Sequence, residues 1–131
     1  MVRVLKTLLV AGILGLMAQG VASAGQFEKF NEEAFKKAQA EGQPILVEID
    51  AGWCPICAKQ RPIIDRLTEG ASLKDVKIMV VSFDGQKGVV RSFNATMQST
   101  LIAFHGAQET GRLVGETDTQ AIQQLLQTTK G

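Results

Sequence analysis

Cys54 and Cys57 are the only cysteines of this 131-residue chain, and they stand in Trp53-Cys54-Pro55-Ile56-Cys57 at the end of an apolar run. The run Ile45-Leu46-Val47-Glu48-Ile49-Asp50 has the pattern of a buried strand, and the residues from Cys57 to Leu67 have that of a helix interrupted by Pro62. Cys54 therefore falls at a strand-to-helix junction. Unpaired backbone N–H groups and the positive end of the helix dipole there favour a thiolate over a thiol. Two thiols at this spacing, with no other cysteine to pair with, read as a redox switch.

Met1 to Ala24 has the layout of a secretory signal. Arg3 and Lys6 make a short basic start, Thr7 to Ala18 is apolar, and Ala22-Ser23-Ala24 is a small-residue cleavage pattern. An apolar stretch of about twelve residues is short of the roughly twenty that cross a bilayer as a helix. The expected mature chain is a periplasmic protein that begins at Gly25, with no permanent membrane span and no cysteine near the cut to carry a lipid. Residues 25–131 then form one small domain with a single core. Without Arg3 and Lys6 the 14 basic residues become 12 against 13 acidic ones, mixed along the chain, which is not the basic stripe of a nucleic-acid binder.

Hydrophobic periodicity and caps predict a helix from Asn31 to Glu41 stopped by Gly42, a strand from Ile45 to Asp50, and a helix from Cys54 to Glu69. A strand follows from Val76 to Phe83, then a short helix or irregular connector from Val89 to Asn94. Thr100–Phe104 and Arg112–Gly115 form a hairpin across a turn from His105 to Gly111, and a helix runs from Asp118 to Gln127. The expected fold class is α/β, a central mixed sheet covered by helices.

The strand-WCxxC-helix unit, Pro62 five residues after the second cysteine, and the closing hairpin and helix resemble the thioredoxin-like superfamily over nearly all of the mature chain. The opening, Phe27 to Cys57, is most similar to exported bacterial thioredoxin-like proteins and to the C-terminal domain of transmembrane disulfide reductases. Most of the superfamily carries a cis-proline before the third main strand, packed on the cysteine pair and offering backbone groups to the substrate. The resemblance places Ser99 at that position. A non-proline cis bond costs about 2.5–4 kcal/mol, so the Gln98–Ser99 bond is expected to be trans.

The chemistry that fits is thiol–disulfide exchange on protein disulfides. Cys54, first in the motif and expected to be exposed, is the candidate nucleophile; Cys57, one turn into the helix, is the candidate resolving thiol. Trp53 is expected to shield the pair and offer an apolar contact, its alternative being core packing. Pro55 presets the first helical turn but removes an N–H, leaving Ile56 and Cys57 to supply donors near Cys54. Pro55, Ile56, Gln98 and Ser99 complete the expected substrate contacts. By resemblance, Pro55 without a following histidine implies a moderate potential, between roughly −270 mV and −120 mV. The resemblance also implies that a carboxylate is buried beneath the pair, and Glu48 stands where it should be. In an apolar setting Glu48 would accept the resolving thiol's proton. Its alternative is a salt bridge on the strand flank, with Lys59 as partner, and Asp50 on the same face competes for the role.

A purely structural disulfide is the weaker use of the pair, since closing so short a loop constrains the unfolded chain by only about 2 kcal/mol. Copper(I) handling is an alternative, with Met97 as a conceivable third soft ligand beside its ordinary reading as core packing. Zinc would want four ligands, and His105 falls at the far end of the strand after Ser99. A binding module that keeps the fold without turnover is the remaining alternative. The other Glu, Lys and Gln residues read as solvated helix faces. The expected enzyme needs no organic cofactor or metal, and the resemblance implies a membrane-bound electron donor that resets the dithiol.

Overall fold

The computed structural model of the protein describes residues 27–131. The leader expected at Met1–Ala24 lies outside the described residues. Nine elements follow in order: β1 (Phe27–Lys29), α1 (Glu32–Ala40), β2 (Pro44–Asp50), α2 (Pro55–Thr68), β3 (Lys77–Ser82), α3 (Lys87–Ser92), β4 (Thr100–His105), β5 (Gln108–Val114) and α4 (Thr119–Thr128). The five strands form one sheet in the order β1-β3-β2-β4-β5. β1, β3 and β2 are parallel neighbours, whereas β4 pairs antiparallel with both β2 and β5.

Period-two alternation along the central strands sends successive side chains to opposite faces. Ile45, Val47 and Ile49 of β2 join Phe35 and Ala38 of α1 and Val90 of α3 in one core. Phe30, Phe35, Phe93 and Phe104 interlock there, with ring centroids 5.3 to 6.0 Å apart. On the other face Leu46 packs with Ile64 of α2 and with Ile122, Leu125 and Leu126 of α4. Glu48 shares this second face, so the strand buries a carboxyl among aliphatic side chains under α2.

The Asn31 cap acts as expected, its Oδ1 accepting from the Ala34 N–H at 2.9 Å, and Asp118 caps α4 in the same way, its Oδ1 accepting from the Ala121 N–H at 2.8 Å. Three elements differ from expectation by more than one residue. β1 is a strand that periodicity does not predict: its three residues show no alternation, and it exists through pairing with Ile78–Val80 of β3. α3 starts at Lys87, two residues before the expected connector. The hairpin is also tighter, because β5 starts at Gln108 and His105 pairs with Gln108 across Gly106 and Ala107. Gly106 has φ +57°, which the first residue of such a two-residue turn requires. A register shift between Ala103 and Phe104 then absorbs the extra residue on β5.

Candidate active site

Cys54 is the N-cap of α2 and Pro55 its first residue. The two cysteines are joined as a disulfide, with Cα atoms 5.3 Å apart. The Cys57 N–H points at Cys54 Sγ from 3.1 Å, so Cys57 supplies the donor that Pro55 cannot. The expectation that Cys54 is exposed needs correction: the residue is only 4 % exposed, and Cys57 1 %. In the closed disulfide Cys54 lies against the helix start, packed with Ala51, Cys57 and Phe83.

Trp53 lies outside the core, 58 % exposed, its indole N–H donating to Asp84 Oδ2 at 2.7 Å. That bond fixes an otherwise open ring next to Cys54. Pro55 and Ile56 are also exposed on this surface. Met97 is exposed rather than packed in the core. His105 lies at the far end of β4, with Nδ1 2.9 Å from the Thr129 carbonyl oxygen. Among the described residues no group of three or more His, Cys, Asp or Glu side chains could hold a metal ion.

Ser99 takes φ +58°, in the left-handed region that L residues seldom enter. All peptide bonds of the described residues are trans, Gln98–Ser99 included. The Ser99 N–H donates to the Ile49 carbonyl at 2.8 Å, and Cys57 Sγ lies 4.0 Å from the same oxygen. This shared carbonyl brings the Ser99 loop against the disulfide. The Ser99 carbonyl accepts from the Gly115 N–H at 2.9 Å, and the Ser99 hydroxyl donates to the Gln98 carbonyl.

Gln60 corrects the reading of the glutamines as a solvated face. It is fully buried, and Nε2 donates to the Ser99 carbonyl at 3.2 Å and to the Glu116 carbonyl at 2.9 Å. The signal is present in the helical spacing. Counting three, four and seven residues from a buried Cys57 points Gln60, Arg61 and Ile64 inward.

Glu48 is fully buried. Arg61 Nη2, and not Lys59, donates to its Oε1 at 3.2 Å, and the same guanidinium nitrogen lies 3.7 Å from Asp50 Oδ2. Glu48 Oε2 has no hydrogen-bond partner among the described residues. Burial pushes the Glu48 carboxyl up to about 7; Arg61 pulls against that rise and the charge of Asp50 adds to it. Such a group exchanges a proton near neutral pH.

A disulfide at a helix N-terminus, flanked by exposed apolar side chains, with a buried carboxyl ion-paired to the same helix, defines a thiol–disulfide oxidoreductase site. The thioredoxin family profile matches residues 26–128. The chain is 37 % identical to Trxlp from Edwardsiella tarda, whose crystal structure superposes with a TM-score of 0.74 over 77 % of this chain and 98 % of that one. It is 28 % identical over 96 residues to the thioredoxin of Chlamydia trachomatis, covering 73 % of this chain and 91 % of the relative. A mutant thioredoxin of Halobacterium salinarum, at 19 % identity, shares the fold with a TM-score of 0.69 over 86 % of this chain and 97 % of its own. The chain belongs to the thioredoxin family and is a thiol–disulfide oxidoreductase with an active-site cysteine pair.

Proposed function

We propose that this oxidoreductase works in the periplasm, after removal of Met1–Ala24, and reduces protein disulfides with electrons from a membrane-bound donor. The observation that carries the catalytic part is the buried Glu48 on the α2 face of the sheet, ion-paired with Arg61, one turn after Cys57 on that helix. The basic start, apolar stretch and Ala22-Ser23-Ala24 pattern support export.

In the reducing direction Cys54 attacks one sulfur of the substrate disulfide as a thiolate, and the substrate's first thiolate leaves and takes a proton from solvent. Cys57 then gives its proton to Glu48 and attacks Cys54 Sγ. The Cys54–Cys57 bond forms, the mixed disulfide breaks, and the second substrate thiolate departs. Two electrons have passed from the enzyme dithiol to the substrate. Trp53, Pro55 and Ile56 form one wall of the substrate surface and the half-buried Gln98 stands on the other, while Ser99, expected to contact substrate, is buried beneath it. The N–H and carbonyl of Ser99 are already bonded within the protein, so this second wall offers fewer backbone groups to a substrate than an open strand edge.

The test is turnover. The protein should accelerate the reduction of insulin disulfides by dithiothreitol, and Cys54→Ser should abolish that acceleration. A Cys54→Ser variant at the full rate would contradict the assignment.

A further inference from the structure

The proposed chemistry uses Glu48 but leaves unassigned the second carboxylate and the cation around it. Arg61 is the only guanidinium within ion-pair distance of either carboxylate among the described residues, and it touches both. Its environment differs sharply at the two ends. Glu48 is sealed, whereas the side chains of Arg61 and Asp50 are partly exposed and line a cleft of about 320 Å³ with Phe27, Ser82 and Gln86. The guanidinium carbon sits 4.8 Å from the centre of the Phe27 ring, a face on which a planar cation can slide without losing its contact.

We propose that Arg61 is a two-position switch, bound to Glu48 when that carboxyl is ionised and passed to Asp50 when Glu48 carries the proton of Cys57. Asp50 and Arg61 are then positioning residues for the resolving step. The proposal rests on Glu48 acting as the proton acceptor. Once Cys57 has handed over its proton, Glu48 no longer holds Arg61, and Asp50 offers the other anionic partner within reach. The guanidinium's move toward Asp50 opens the way from Glu48 to the cleft, where water takes the proton and Arg61 returns.

The groups around Glu48 support this division. From α2 comes Arg61, which lies one turn after Cys57 on that helix; from its own strand comes Asp50. Its cross-strand neighbours are Val80 on β3 and Leu101 on β4. α4 adds Ile122, Leu125 and Leu126 to this core, and β1 brings Glu28 and Lys29 only to the cleft wall. Arg61 and Asp50 act on Glu48 with opposite signs.

The experiment is the pH dependence of single-turnover disulfide reduction in the wild type and in Asp50→Asn, Arg61→Met, Arg61→Lys and Glu48→Gln. Asp50→Asn should move the midpoint to lower pH and Arg61→Met to higher pH, each by about 0.5 or more, because a nearby like charge is lost in one and an opposite charge in the other. Arg61→Lys, which keeps the charge but not the fork, should show a smaller upward move and remains informative if Arg61→Met does not fold. A fixed ion pair would move these midpoints by charge alone and leave the plateau rate of the resolving step unchanged in Asp50→Asn, whereas the switch lowers that plateau because Arg61 has lost its second partner; an unchanged plateau overturns the switch. Midpoints that stay put or move in the same direction in the Asp50 and Arg61 variants overturn the switch. The Glu48 reading itself falls if the pH dependence survives in Glu48→Gln; if it vanishes there while the other variants keep the wild-type midpoint, only the switch falls.

Discussion

Gln60 on α2 donates its side-chain N–H to the carbonyl of Ser99, 39 residues later, at 3.2 Å. The same amide nitrogen reaches the Glu116 carbonyl at 2.9 Å, so one buried side chain ties the active-site helix to the segments at both ends of the β4–β5 hairpin. Replacing Gln60 by Met keeps the volume and removes the donor. Leaving the Glu116 carbonyl unpaired should destabilise the protein by about 1–3 kcal/mol, read from urea unfolding at neutral pH.

Ser99 has a conformation that suits glycine better than any other residue. Ser99→Gly should therefore be more stable than Ser99→Ala by about 1 kcal/mol, since alanine keeps the Cβ penalty at φ +58°. Ser99→Pro restores the residue that the family resemblance leads one to expect, yet proline holds φ near −65° and has no N–H for Ile49. It should lose more than about 1 kcal/mol in thermal or urea unfolding. An unchanged stability in Ser99→Pro would mean that the loop rebuilds around proline.

For Glu48, the folded disulfide form keeps its proton up to about pH 7, whereas the ordinary value is 4.5. The native state thus binds more protons than the unfolded state between those values. The associated stability is full below the lower value and is lost as pH rises through the upper one. The loss amounts to about 3 kcal/mol if nothing relaxes. Glu48→Gln removes this dependence, so its stability relative to wild type should improve between about pH 5 and about pH 8. Parallel curves for the two proteins would show that Glu48 titrates as an exposed carboxyl.

Cys57→Ser leaves the attacking thiol without its partner. Incubated with a disulfide-bonded protein, the variant should accumulate a mixed disulfide through Cys54, visible as a reducible band on a non-reducing gel. Rapid release of product from this variant would show that Cys57 is not the resolving thiol.

Much of this architecture is legible in the sequence because local and global signals agree. β2 and α2 carry unambiguous periodicity, the Asn31 and Asp118 caps mark helix starts, and the cysteine pair declares the junction between strand and helix. β1 is illegible because three residues carry no period and owe their strand to a neighbour. Gln60 is hidden for a different reason: its residue type says surface, and only the helical spacing from Cys57 says interior; Arg61, partly exposed, shows its role only through its reach to Glu48 on β2. The burial of Cys54 comes from its packing with Ala51, Cys57 and Phe83, the last of them distant in sequence. Ser99 is legible as a departure from the family, but its left-handed backbone and its bonds to Ile49, Gly115 and Gln60 arise from segments distant in sequence.

The reduction potential of the Cys54–Cys57 pair tests the proposed direction of electron flow most directly. Equilibration of the metal-free protein with glutathione or dithiothreitol buffers, followed by the fluorescence of Trp53, gives the value. A potential well below about −200 mV is the expected result and fits a reductase recharged by a membrane donor; one near about −120 mV would make the protein an oxidant and reverse the proposed direction.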